Sequence, residues 1–202
     1  MNVQAKIGAA QLPTEKRAFR GVHHLALNTE DMKSTIDFYA GVLGMRLVHA
    51  MRVPKGADAN AEARGNPPFP EIRHCFFDMG NDRLIGFFEM PKGAKKPVDR
   101  NGIAAMQHVS FALPREDHHK LHARLDKHGI YYLGPIKPLE GLLSTYFYDN
   151  NGIRLKVTSH DKNSIDPKVI EDLQQTPDEA MDELIGLHSD NEWLERVKAY
   201  MA

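Results

Sequence analysis

Two histidines in matching settings carry the first chemical signal of this chain. His24 lies in a short apolar run at 21–27 (GVHHLAL), and His108 lies near the start of another at 105–113 (AMQHVSFAL). Each run leads into a polar turn, a stretch with helically spaced apolar residues, and then a glycine. His24 stands 20 residues before Gly44, and His108 stands 21 before Gly129. Self-similarity of this kind implies two copies of one supersecondary unit. Pseudo-symmetric packing would bring the two histidines to equivalent places near the axis. Imidazole nitrogens meeting there would begin a metal site.

The elements that must position them follow from periodicity. Alternation along 21–27 puts Val22, His24 and Ala26 on one side and His23, Leu25 and Leu27 on the other, so His23 points away from His24. Residues 28–45 read as a helix with a buried face at Met32, Thr35, Ile36, Tyr39, Val42 and Leu43, stopped by Gly44. Strands are predicted at 46–53, 72–78 and 83–90, the last two joined by a Gly-Asn-Asp hairpin turn. Between them, 54–70 is too rich in Pro, Gly, Ala and Asn for an element, and reads as a functional loop or an exposed insertion. The second unit repeats the order: strand 105–113, helix 118–128, a strand around 131–133, and a hairpin of 144–148 with 153–158. The predicted organisation is a leader at 1–19, a first βαβββ module at 20–95, a linker at 96–102, a second module at 103–160 and a helical extension at 161–202. In that extension Asp166-Pro167, Thr176–Glu179 and Ser189–Glu192 are helix-start signals, and its apolar residues need cover from the main domain or another subunit.

Composition limits the partners. With 26 Lys and Arg against 27 Asp and Glu, the net charge is −1, which gives no electrostatic footprint for nucleic acid or an anionic membrane. The single cysteine, Cys75, excludes an internal disulfide and fits a reducing compartment. The first residues lack a signal-peptide core and no run reaches membrane-spanning length, so a cytoplasmic protein is expected.

The paired units, HHLAL around His24, FYAGVLGM at 38–45, His108, and YFYDNNGIRL at 146–155 together resemble the vicinal oxygen chelate superfamily. That superfamily includes glyoxalase I, the bleomycin and fosfomycin resistance proteins, methylmalonyl-CoA epimerase and the type I extradiol dioxygenases. The resemblance covers residues 20–159. It implies an α+β fold, two βαβββ modules forming a cupped mixed sheet, with a helical tail beyond it and frequent dimerisation. It also implies up to four metal-ligand positions, of which His24 and His108 match two. The third falls at Ile85, or at Gly86 under another gap placement, and neither side chain ligates. At the fourth, the family pattern sets a Glu four residues after a turn glycine; here Gly152 is followed by Lys156. A protonated lysine cannot coordinate a divalent ion and repels it.

Several outcomes stay open on these residues. Glu89 shares a strand face with residues 85 and 87, and is the nearest side chain that could complete a site with His24 and His108. Tyr146, ten residues ahead of Lys156, resembles a tyrosine that contacts catecholate in the dioxygenases, or is simply a strand aromatic. The expected activity is metal-dependent, extradiol-dioxygenase-like or glyoxalase-like, on a small substrate that chelates through vicinal oxygens. Fe²⁺ or Mn²⁺ is the favoured ion, and Zn²⁺ is possible. The alternatives are a metal-free binder of a flat anionic ligand and a lyase or isomerase using Lys156. The expected partners are a small molecule, an aromatic diol or anion, and a second copy in a homodimer. His118, His119 and His122 share a helix face that is either a chelating cluster or a solvated one. His74 beside Cys75 is ambiguous, and His49 and His160 have no assigned role.

Overall fold

The apolar run around His24 becomes β1 (His24–Thr29) in the computed structural model, which describes residues 21–53, 67–96, 99–138, 141–160, 175–185 and 191–201. The 1–19 leader, most of the 54–70 loop, Asp166-Pro167 and Ser189 lie outside the described residues. After β1, Asp31 caps α1 (Met32–Ile36), its carboxylate accepting from the Ser34 N–H at 3.1 Å. The predicted single helix continues past Ile36 as a π-helical stretch, Asp37–Val42. Then come β2 (Leu47–Arg52), β3 (Arg73–Gly80) and β4 (Arg83–Glu89). The β3–β4 turn holds Asn81 and Asp82 at φ of 51° and 55°, the left-handed pair that a two-residue hairpin requires.

The second module repeats the order: β5 (Val109–Ala112), a short turn, α2 (His118–Lys127), β6 (Tyr132–Ile136), β7 (Leu142–Tyr148) and β8 (Arg154–His160). Because β5 is shorter than the predicted strand, His108 stands just ahead of it and is exposed. The strand orders are β1-β4-β3-β2 and β5-β8-β7-β6, each with its first strand parallel to its last and the other neighbours antiparallel.

Strand alternation then decides what is covered. Cys75, Phe77, Ile85 and Phe87 from the first sheet join Val109, Phe147, Leu155 and Val157 from the second in one buried cluster. Met32, Phe38, Tyr39 and Val42 of the first helical segment and Leu121 and Leu125 of α2 complete it. Both sheets thus turn their odd-numbered β3, β4, β5, β7 and β8 residues onto a shared core, and their opposite faces look away from it. A polar seam fixes the modules to each other. The buried Tyr39 hydroxyl donates to Asp149 Oδ2 at 3.0 Å, and Thr29 and Thr35 meet Asn151 and Asn150. Burial pushes the Asp149 carboxyl up, against hydrogen bonds from the Ile153 N–H, Tyr39 and Asn151.

The chain divides into two compact units: Gly21–Pro167 contains both modules, and the other contains the C-terminal helices. Those are α3 (Pro177–Leu184) and α4 (Asn191–Met201). The predicted capping box at Thr176–Glu179 is formed in both directions. Ala180, Met181 and Leu194 bury one another, flanked by Leu184, Trp193 and Val197. Among the described residues no helix is long and apolar enough to cross a membrane.

Candidate functional site

On the open face of the first sheet, register settles which β4 residues accompany His24. The β1–β4 pairing sets Leu84, Gly86 and Phe88 on its side and Ile85, Phe87 and Glu89 on the core side. The third ligand position is therefore Gly86, and Glu89 is turned away. Its Oε1 accepts from the Met32 N–H at 3.2 Å and its Oε2 holds the Arg73 guanidinium at 2.8 Å. Residues 85, 87 and 89 do share a face, but it is the covered one. Glu89 ties α1 to the sheet and does not join His24.

The space above Gly86 is filled. A Cβ there would lie 3.0 Å from the Phe76 ring and 3.1 Å from His74 Nε2. His74 stacks on Phe88, centroids 3.6 Å apart, while His24 and His49 flank Phe76 at 6.1 and 6.2 Å. The unassigned His49 and the ambiguous His74 thus belong with His24 in one imidazole and phenyl cluster. His74 is 8% exposed and its buried Nε2 has no hydrogen-bond partner among the described residues. Burial first, then the neighbouring His24 and His49, hold its pKa down at about 4. His23 precedes the strand, escapes the alternation, and places its Nδ1 2.9 Å from His24 Nδ1.

The open face of the second sheet has a different character. Lys156 stands directly across from Tyr146 in the β7–β8 register, with Ser110 beside it on β5. Its Nζ lies over the Tyr146 ring at 5.5 Å, and the Arg154 guanidinium lies over the same ring at 4.7 Å. His108 meets Tyr146 edge-on at 6.1 Å and contacts Gln107 Oε1. Burial, then the charges of Lys156 and Arg154, lower the His108 pKa. His108, Tyr146 and Lys156 therefore come together, in a field made positive by two cations. Arg154 was missed by sequence reasoning. Its signal is the two-residue spacing from Lys156, which puts both on one strand face.

Helix α2 uses its histidines structurally. His118 is buried, with Nδ1 2.7 Å from the Ser159 hydroxyl and Nε2 2.8 Å from the Thr145 hydroxyl. His122 Nε2 also reaches Thr145 at 2.8 Å and its ring stacks on Tyr132. Only His119 of the three is solvent-exposed. This corrects both readings of the cluster: the face binds sheet hydroxyls. Cys75 is buried in the core, where burial raises its thiol pKa. His160, also buried, ends β8.

The four family positions hold His24, Gly86, His108 and Lys156, which amount to two nitrogens, a hydrogen and a cation. His24 has His23, His74 and Phe76 around it; His108 has Gln107, Tyr146, Arg154 and Lys156. The two sets share no residue. Among the described residues no three His, Cys, Asp or Glu side chains are placed to hold an ion together. The chemistry does not fit Fe²⁺, Mn²⁺ or Zn²⁺, which want three or more protein donors and no adjacent positive charge.

Known structures share the fold. A glyoxalase/bleomycin resistance protein/dioxygenase domain from Frankia sp. EAN1pec matches with TM-score 0.57 and 18% identity over 73% of this chain and 96% of its own. A glyoxalase/dioxygenase from Nostoc punctiforme matches with TM-score 0.53 and 21% identity, covering 77% and 99%. A glyoxalase family protein from Enterococcus faecalis gives TM-score 0.52 and 18% identity, covering 69% and 98%. No curated protein matches the sequence. Residues 21–157, which reach from the start of the first module into β8 and include His24, Gly86, His108, Tyr146, Arg154 and Lys156, match the family model, and the chain belongs to the Glyoxalase/Bleomycin resistance protein/Dioxygenase superfamily.

Proposed function

We propose that this protein binds a small, flat, anionic molecule without a metal ion, with the Lys156 ammonium standing where the family pattern sets a carboxylate ligand. The observation that carries this reading is the position of Lys156: on an open face, in register with Tyr146, beside Arg154 and His108. Neither cation is paired with a carboxylate among the described residues. An ammonium and a guanidinium together give short, charge-assisted hydrogen bonds to a carboxylate, enolate or phenolate. The Tyr146 ring offers the flat contact. A metal-dependent, dioxygenase-like reading keeps His24, His108 and Tyr146 but leaves the ion short of donors. A lyase or isomerase step at Lys156 would use the same face and the same ligand class.

We propose a homodimer as well. One chain leaves its His24 face and its Lys156 face both open, and a second copy can set one against the other. The edge strands suit such a contact: Leu47, Val48 and Met51 on β2 and Leu133 and Ile136 on β6 are exposed. A cytoplasmic location accords with the lone, buried, free cysteine. The test is equilibrium binding of benzoate, salicylate and catechol in the presence of EDTA, repeated after adding Mn²⁺ or Fe²⁺ anaerobically. Saturable binding of the anions in EDTA supports the reading. Binding that appears only with the metal overturns it.

A further inference from the structure

One cation of the second sheet's surroundings is left over by the site at Lys156. Arg100, in the linker between the modules, places its guanidinium 4.7 Å over the Tyr148 ring. Tyr148 is two residues beyond Tyr146 on β7, so the two rings rise from the same face about 7 Å apart along the strand. Tyr148 is 47% exposed, which leaves room for a ligand beside the stacked pair. The arrangement at Tyr146 is thereby repeated one step along, an arginine on a tyrosine face each time. Stacking fixes the plane of a guanidinium while its N–H edge stays available for a bidentate anion. Arg100, like Arg154 and Lys156, has no carboxylate partner among the described residues.

We propose that Arg100 and Tyr148 form a second anion subsite, and that the ligand is a small flat dianion. One charge sits at Lys156 and Arg154, and the other sits under Arg100 at Tyr148, a strand step of about 7 Å along β7 from Tyr146. The proposal rests on the anion-binding reading above and names the ligand class more narrowly. Both a carboxylate and a phosphate satisfy the second position, since each accepts two parallel N–H bonds.

Calorimetric titration separates the possibilities, using benzoate as the one-charge probe and terephthalate and 4-carboxyphenyl methyl phosphate as the two-charge probes. Wild-type protein binds at least one of the dianions about tenfold or more tightly than benzoate. Which dianion is tighter identifies the second group. Arg100→Gln brings that dianion down to the benzoate level and leaves benzoate itself unchanged. A dianion no tighter than benzoate, or an Arg100→Gln variant that weakens all probes equally, overturns the second subsite while the first stands. Failure of benzoate to bind overturns the anion-binding reading and the subsite with it.

Discussion

Acidification strikes the first sheet through His74. The imidazole is buried between Phe76 and Phe88, with His24 and His49 as its titratable neighbours and an Nε2 that no described residue hydrogen-bonds. Its pKa is about 4 in the folded protein against an ordinary 6.5. Above that ordinary value both folded and unfolded chains carry a neutral ring, and His74 imposes no pH dependence. Below it the unfolded chain takes up a proton that the folded chain resists, so stability falls as pH drops from 6.5 towards 4. Between about pH 7.5 and about pH 5 this amounts to about 2 kcal/mol. The perturbation is His74→Phe, which keeps the ring stack and removes the titrating nitrogens. Urea unfolding followed by circular dichroism at the two pH values gives the comparison. His108, His118, His122 and Asp149 also titrate in an altered range, but they are common to both proteins and cancel in the difference. Wild type should lose about 2 kcal/mol more than the variant on acidification. Equal losses in the two proteins would refute the assignment to His74.

Other perturbations read different parts of the molecule. Lys156→Glu removes a neighbouring positive charge, so the His108 pKa rises in an NMR titration, and no rise would place Lys156 elsewhere. In a dimer that sets His24 of one copy against Glu at this position in the other, the same variant also gains Mn²⁺ affinity; no gain speaks against that pairing. Tyr39→Phe deprives the buried Asp149 carboxylate of a donor and should cost about 1–3 kcal/mol in chemical denaturation. Gly86→Ala forces a Cβ against Phe76 and His74 and should cost about 1–3 kcal/mol; a neutral result would show that these rings yield freely.

The repeat was readable because each module must bury one face, and burial writes a period into the residues. The run at 21–27 and its counterpart at 105–113 announced both modules, and the Gly-Asn-Asp turn was read correctly as a hairpin. What periodicity does not contain is which of two faces meets the core. Residues 85, 87 and 89 were correctly put on one face, but the apolar Ile85 and Phe87 are what drew that face inward, and they took Glu89 with them. Shared parity with a fully buried isoleucine argued against Glu89 from the start. The cluster of His24, His49 and His74 was hidden because it is assembled from three strands whose pairing register no local pattern gives. For the same reason, equivalent histidines on two repeats need not converge. Here the helices and core-facing strands of both modules claimed the shared interior, and both histidines stand on the strand faces turned away from it.

The central claim is that the charge of Lys156 replaces a metal ion in holding an anion. Its most direct test is benzoate affinity in EDTA, measured by calorimetry on wild type, Lys156→Met and Lys156→Arg. Removal of the charge should weaken binding about tenfold or more, with Lys156→Arg retaining most of it. Equal affinity in wild type and Lys156→Met would contradict the claim.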